Sequence, residues 1–523
     1  MRRGNAPATI AALLSMGLAW SCSNGGGSRG GGSSTAPAST TSRTTTTNPP
    51  VTNPPATSNP VVSGDVLVPY AILDPQSQPH SIAADYTTDA GVTWKPCAQG
   101  QGGDPTTNLS SSPAGVAHTF SWDSLKDLGA ALVPNVQIRI TPSGQAPGVS
   151  PAVDVDNRAL QKPTANVTFE RGPYVQGTTQ TSIKVIWRTT QPTDTVVEYA
   201  KGTTLTNTLK AGNPSASETT HLVTLTGLTA GTAYTYRILT GGQVATYPTP
   251  VSTAPDASVK TFTALVFGDS GKANQNQYDL ATRMAAEKFD LVLHTGDVTY
   301  PVGAEAEYNP GYFVPYGPFI KSIPVFPAMG NHDLMTANGQ AYMDAFHPNA
   351  NNPANDKRYY SFEWADAKFV SIESYALFKA AGPHLDWLKN ELASNTRRWL
   401  VVYMHVPLYS VGYHGDNATL QNLLQPIFEQ YKVDLVLQGH DHNYERMSPV
   451  KKYSTDPNWQ GVPFIVTGGG GADIYPTITN HTQTVYKEAM NHYTLLTFFN
   501  DAIRGKVIRK DGTTAEAFTI NHQ

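Results

Sequence analysis

The spacing of apolar positions changes character partway along this chain. Between about Asp65 and Asn157 they come in short runs, such as Val66-Leu67-Val68-Pro69-Tyr70 and Val136-Gln137-Ile138-Arg139-Ile140, separated by Gly and Pro turns. Runs of this kind predict strands, and together they predict a small β-sandwich over residues 63–160. A second all-β sandwich is predicted over 165–255, where Ser182-Ile183-Lys184-Val185-Ile186-Trp187 alternates and offers a tryptophan to the space between sheets. After about Lys260 helical spacing enters. Thr261 to Phe267 predicts a strand, Asn276 to Lys288 a helix and Leu291-Val292-Leu293-His294 a strand. Pro383 to Ser394, Trp399 to Met404, Thr419 to Tyr431 and Val433 to Leu437 then predict helix, strand, helix and strand. Such alternation predicts an α/β domain over 260–523, with its chemistry in loops past strand ends.

Composition changes the picture mainly at the amino terminus. Met1-Arg2-Arg3 followed by the apolar, small-residue run from Ala11 to Trp20 reads as an export signal over 1–22, too short to stay as a membrane span. It ends in Leu18-Ala19-Trp20-Ser21-Cys22, which resembles a bacterial lipoprotein processing site with Leu18 one place early. A lipid anchor through Cys22 in the cell envelope and plain secretion both stay open. Residues 23–62 are Gly, Ser, Thr, Pro and Asn with little to bury, and are expected to be a disordered tether. Cys97 is the other cysteine, so no disulfide is expected once Cys22 is removed or lipidated. A chain of 523 residues has room for several domains, and its 39% hydrophobic and 15% charged residues suit a β-rich exported protein. A net charge of −4 gives no basic field, hence no nucleic-acid surface.

Two stretches are read as structural. Thr87-Thr88-Asp89-Ala90-Gly91-Val92-Thr93-Trp94 resembles the Asp-box hairpin of sialidase-type β proteins. The run from Leu225 to Ile238 is similar to the E-to-F corner of fibronectin type III domains, with Tyr234 as the corner tyrosine.

The chemistry gathers at predicted strand ends. Gly268-Asp269-Ser270-Gly271, Gly296-Asp297-Val298-Thr299-Tyr300, Gly330-Asn331-His332-Asp333, Val402-Tyr403-Met404-His405 and Gly439-His440-Asp441-His442 each follow or close an apolar run. Each offers a carboxylate, amide, phenol or imidazole, and the glycines let backbone pass close to an ion. In this order the motifs resemble those of the dinuclear metallophosphoesterases and, more narrowly, the purple acid phosphatases. The resemblance covers about half of the chain, from Lys260 on, and a fibronectin-like module before it is usual in plant-type members.

The resemblance implies an αββα catalytic domain holding Fe(III) and a divalent ion (Zn, Mn or Fe). It implies that Asp269, Tyr300 and His442 bind the first metal, that Asn331, His405 and His440 bind the second, and that Asp297 bridges them. Other metallophosphoesterases have His where this chain has Gly271, and Tyr300 takes its place. A phenolate favours Fe(III), and the three anions Asp269, Asp297 and Tyr300 leave an Fe(III)–M(II) pair net positive toward a phosphate-ester substrate. The implied reaction is hydrolysis of phosphate monoesters by metal-activated hydroxide in acid, with His332 and His414 stabilising charge and protonating the leaving group. Asp333 stands where many relatives have Glu. Glu445 and Arg446 read as a structural or outer-shell pair, His294 as a packed strand end, and Gly468-Gly469-Gly470-Gly471 as a close backbone approach rather than a P-loop. The rival readings are a phosphodiesterase or nucleotidase on the same metals, and a surface adhesin with a structural metal domain. Oligomeric state is left unassigned.

Overall fold

The computed structural model describes residue 59 and residues 61–523 except 101–102, 114, 159, 161–162, 376–381 and 478. The export signal, Cys22 and nearly all of the tether lie outside the described residues.

Two β units come first. In the first, an antiparallel ribbon of Asp65–Ile72 and Val116–Asp123 faces a sheet built on Leu132–Pro142, Ile82–Thr87 and Val153–Asp156. Val68, Ile72, Phe120, Trp122, Ile138 and Ile140 fill the space between. At its edge Asp89 accepts hydrogen bonds from Thr87 Oγ1 and Thr93 N, Trp94 Nε1 donates to Gly91 O, and Arg139 lies 4.4 Å over the Trp94 ring. In the second unit the long strand Ser182–Lys201 changes partners midway. Its first half pairs with Phe169–Gln176, its second with Ala233–Thr240, and Leu209–Thr226 follows it throughout. Trp187 is buried between, and Tyr234 accepts a hydrogen bond from Thr229 N at 2.9 Å, the geometry of a tyrosine corner.

The remainder is α/β. We label its elements β1 (Phe262–Phe267), α1 (Gln275–Met284), β2 (Leu291–His294), α2 (Val314–Ile320), β3 (Val325–Pro327), α3 (Asn331–Met335), β4 (Tyr360–Trp364), β5 (Ala367–Ile372), α4 (Pro383–Ala393), β6 (Trp399–Met404), α5 (Ala418–Gln430), β7 (Leu435–Gln438), β8 (Tyr444–Met447), β9 (Phe464–Thr467), β10 (Thr484–Glu488), β11 (His492–Phe498), β12 (Ala502–Arg509) and β13 (Thr514–Asn521). One sheet runs β3-β2-β1-β11-β12-β13 and the other β4-β5-β6-β7-β9-β8-β10. Both are mixed. β1 to β3 are parallel in one, and β5, β6, β7 and β9 are parallel in the other. Inner-face residues Val266, Leu293, Phe326, Phe369, Val401 and Leu437 interdigitate between the sheets. The outer faces pack on helices, Leu265 and Val292 against α1 and α2, Val402 and Val436 against α4 and α5. A parallel strand buried on both sides must be apolar throughout, which is why these strands read as continuous apolar runs.

α1 stops four residues short of the predicted helix. Ala286 N and Glu287 N bond to carbonyls three back, so the last turn tightens and ends the α-helix. The parallel strands of both sheets end on one edge of the molecule. There Gly439 N bonds His405 O within the second sheet, while Gly470 N bonds Gly268 O and His405 Nδ1 bonds Thr295 O at 3.0 Å, tying sheet to sheet.

Candidate functional site

Asp269 and Asp297 stand just past β1 and β2, and His440 just past β7. All three have left-handed backbone, with φ of 56°, 52° and 69°. Few residues other than glycine adopt it, Asp and Asn most readily. The turns bring their groups to backbone donors from neighbouring loops. Asp269 Oδ2 accepts from His440 N and Asp297 Oδ1 from His332 N, each at 2.9 Å. A Cβ on Gly330 would lie 2.1 Å from Asp297 Oδ1, so the amide-bearing loop approaches this carboxylate only without a side chain.

Two sets of donors result. The Tyr300 hydroxyl is 3.2 Å from Asp269 Oδ1 and 3.2 Å from His442 Nε2. Opposite, His405 Nε2 is 3.0 Å from Asn331 Oδ1, 3.1 Å from His440 Nδ1 and 3.4 Å from Asp297 Oδ2. The ligand atoms of Asp297, His405 and His440 all lie within 4.8 Å of one another. Asp297 Oδ2 lies 3.4 Å from His405 Nε2, and its charge also acts on the Tyr300 phenol, so it stands between the sets. Carbonyls fix the imidazoles from behind. His405 Nδ1 donates to Thr295 O, and His442 Nδ1 to Asp473 O at 2.5 Å, leaving each Nε2 to face the cluster.

Asp269 and Asp297 are 0% and 2% exposed, and burial of paired carboxylates is costly without positive charge beside them. The fold supplies a proton in that place. Burial works against charging His405, yet Asp297 and Asp269 outweigh it and lift this imidazole to about 10. His440, half-buried and facing His405, is pushed down to about 3 by partial desolvation and by that neighbour. Burial, Asp297 and Asp269 together push the Tyr300 phenol well above its ordinary value. Carboxylates sharing an imidazolium, with neutral imidazole, amide and phenol around them, fit cations that would displace that proton.

The other motif residues divide clearly. His332 donates from Nδ1 to Pro301 O at 2.6 Å, its Nε2 is 3.9 Å from Asp297 Oδ2, and its ring lies 4.5 Å from that of Tyr300. His414 lies across the cluster, its ring stacked on His440 at 3.9 Å. Its Nδ1 and its backbone N both bond Asp441 Oδ1 at 2.9 Å. The sequence reading overlooked Asp441. It is fully buried, takes Ser410 Oγ on its other oxygen at 2.5 Å, and packs so closely that a Cβ on Gly412 would lie 2.5 Å from its Cγ. Tyr475, also overlooked, stacks on His442 at 4.0 Å and 10°.

Asp333 is an internal strut, accepting Gly330 N at 2.9 Å and Val298 N at 3.0 Å and so fastening the Asn331 loop to the Asp297 loop. Burial and the nearby Asp297 lift it to about 7. Glu445 and Arg446 do not pair with each other. Glu445 holds Val411 N and Thr484 Oγ1, while Arg446 reaches Glu516, as alternation along β8 sends them to opposite faces. His294 is buried against Ser270 Oγ at 2.9 Å, and a Cβ on Gly468 would lie 2.3 Å from Asp441 O.

Residues 262–444 match the model of the calcineurin-like phosphoesterases, and residues 172–261 match that of the purple acid phosphatase N-terminal domain. Purple acid phosphatase 21 of Arabidopsis thaliana is 26% identical over 269 residues, covering 48% of this chain and 58% of its own. Purple acid phosphatase of Glycine max is 28% identical over 295 residues, covering 50% and 62%. The chain thus spans somewhat over half the length of these relatives. In fold it resembles purple acid phosphatase PPD1 from yellow lupin (Lupinus luteus) seeds, with a TM-score of 0.60 at 19% identity over 88% of this chain and 94% of that one. PhoD follows with a TM-score of 0.53 at 14% identity over 67% and 90%. The two family models abut at residue 261, and with these relatives they show that the chain belongs to the purple acid phosphatase family.

Proposed function

We propose that this chain is an exported acid phosphatase that hydrolyses phosphate monoesters at a pair of metal ions. The observation that carries the reading is the meeting of two donor sets, Tyr300 with Asp269 and His442 on one side and His405 with Asn331, His440 and Asp297 on the other. In this reading Asp269, Tyr300 and His442 would hold Fe(III), Asn331, His405 and His440 would hold a divalent ion (Zn, Mn or Fe), and Asp297 would serve both. When bound, the ions supply Lewis acidity toward the phosphoryl oxygens and acidify water.

The side chains do the rest. His332, tied through Nδ1 to Pro301 O, offers Nε2 at the edge of the cluster. His414, tied through Nδ1 to Asp441, offers Nε2 on the other side. These nitrogens bind the phosphoryl oxygens and deliver a proton to the departing alkoxide, a role worth about 10²–10⁴-fold in rate. The working domain boundaries remain 63–160 and 165–255 for two β-sandwiches, the latter fibronectin type III-like, and 260–523 for the catalytic domain. Export through residues 1–22 rests on their sequence, with Cys22 as the candidate lipid anchor.

Metal analysis and a visible spectrum of the purified protein test this directly. We expect two metals per chain, iron among them, and a visible phenolate-to-iron band that Tyr300→Phe abolishes while the fold persists. A colourless protein with one metal would overturn the assignment. Turnover of a monoester against a diester across acid and neutral pH decides the substrate class, and a preference for the diester would replace phosphatase with phosphodiesterase.

A further inference from the structure

Beside the candidate site stands a row of rings that the metal chemistry does not use. Tyr475 lies flat on His442, at 4.0 Å and 10°, and its backbone N donates to His442 O. Tyr413 continues the row outward, its ring 5.5 Å from Tyr475 and edge-on to His414 at 5.2 Å. Tyr413 is 63% exposed, whereas the large side chains around the cluster are mostly buried. It is also held in place. The next residue, His414, is pinned to Asp441 through backbone and ring, and Gly412 before it is pressed against the same carboxylate. A wide aromatic face is thereby kept open to solvent at the rim of the cluster, at low ordering cost for anything that stacks on it.

We propose that Tyr413 and Tyr475 form the leaving-group subsite, selecting phosphomonoesters whose leaving group is a planar aromatic ring, an aryl alcohol or a nucleoside. The inference rests on the phosphatase reading and deepens it. A leaving oxygen protonated by His414 must lie within about 3 Å of its free ring nitrogen. The substituent on that oxygen must then project past His414 and across the rings that flank it, which are Tyr413 and Tyr475. A planar ring gains stacking there, and a polyol does not.

The test compares 4-nitrophenyl phosphate, adenosine 5′-monophosphate and glycerol 3-phosphate as substrates of the metal-loaded wild type, Tyr413→Ala and Tyr413→Trp. In parallel, calorimetry measures binding of phenylphosphonate against methylphosphonate, which needs no turnover. We expect the aromatic-to-glycerol ratio of kcat/KM to fall roughly tenfold in Tyr413→Ala and to survive in Tyr413→Trp, with the phosphonate preference following it. The aryl and nucleotide arms show which aromatic group the wall accepts, and a preference for either supports the proposal. A structural effect through His414 would lower all three substrates together. An unchanged ratio and an unchanged phosphonate preference would overturn the subsite while leaving the phosphatase reading intact. Hydrolysis of none of the esters by the wild type would overturn that reading, and the phosphonate pair would still judge the wall.

Discussion

Asp441 shows how much one side chain can organise without touching the reacting atoms. One of its oxygens takes both the backbone and the ring of His414, the other takes Ser410, and burial leaves it no alternative partner. Replacing it with Asn keeps an acceptor but loses the charge that fixes which His414 nitrogen carries the proton. We expect Asp441→Asn to lower kcat by roughly 10–100-fold and to change KM little, with metal content unchanged. Equal loss of metal would mean instead that Asp441 works by holding His440 and His442. The role was hidden in the sequence, because the partners of Asp441 lie in the loop from Ser410 to His414 and only the fold makes them neighbours. The glycine-flanked motif residues were legible, since Gly268, Gly296, Gly330 and Gly439 mark close approaches of backbone that an added Cβ would obstruct. Their left-handed neighbours Asp269, Asp297 and His440 were not, because nothing local in the sequence announces backbone strain of about 1–3 kcal/mol apiece.

Among the elements, the paired strands and their flanking helices could be read from apolar runs, whereas the stretch from Tyr308 to Ile320 could not. Its Pro and Gly content reads as loop, yet the structure is helical through it, with a π-helical turn at Asn309–Phe313 leading into α2. Pro310 and Pro315 fall in the first turns of their own segments, where a missing N–H costs little, Pro318 lies inside α2, and Tyr308, Tyr312 and Tyr316 recur four apart on the buried side. β7 has a device of its own at its entry. Asp434 accepts Leu400 N at 2.8 Å, and burial lifts its carboxyl to about 7 although Arg398 opposes the shift and His522 lies 3.9 Å away. A carboxyl raised above its unfolded value near ~4 contributes stability that is fully present below that pH and lost as pH rises through the folded value. Wild-type stability should therefore fall between about pH 4 and 7 by roughly 2–4 kcal/mol more than that of Asp434→Asn, whose amide oxygen can still accept Leu400 N. Denaturant midpoints for the two proteins across that range would check it, and parallel curves would refute it.

For the whole molecule the decisive feature is a core that crosses the unit boundary. Tyr174 and Ile186, from the second β unit, belong to the same buried cluster as Leu265, Val292, Tyr312 and Tyr316 of the α/β part. Arg171 lies 4.3 Å over the Phe313 ring, donates to Asn309 Oδ1 at 2.7 Å and pairs with Glu305, while Tyr236 donates to Lys321 O at 2.8 Å. Each large apolar side chain buried there contributes about 1.5–3 kcal/mol. We expect a chain cut to residues 260–523 to aggregate or to melt at least about 10 °C below one comprising 165–523, as scanning calorimetry would register. The alternating run from Ser182 to Trp187 was legible as strand, but its outer face reads as an ordinary alternation until the α/β partner is in view. The link between the halves is, by contrast, open, with Ser258, Val259 and Lys260 exposed. Trypsin that clips after Lys260 should consequently leave two fragments that elute together from a sizing column and come apart only in denaturant, because the shared core, not the peptide link, holds the halves together.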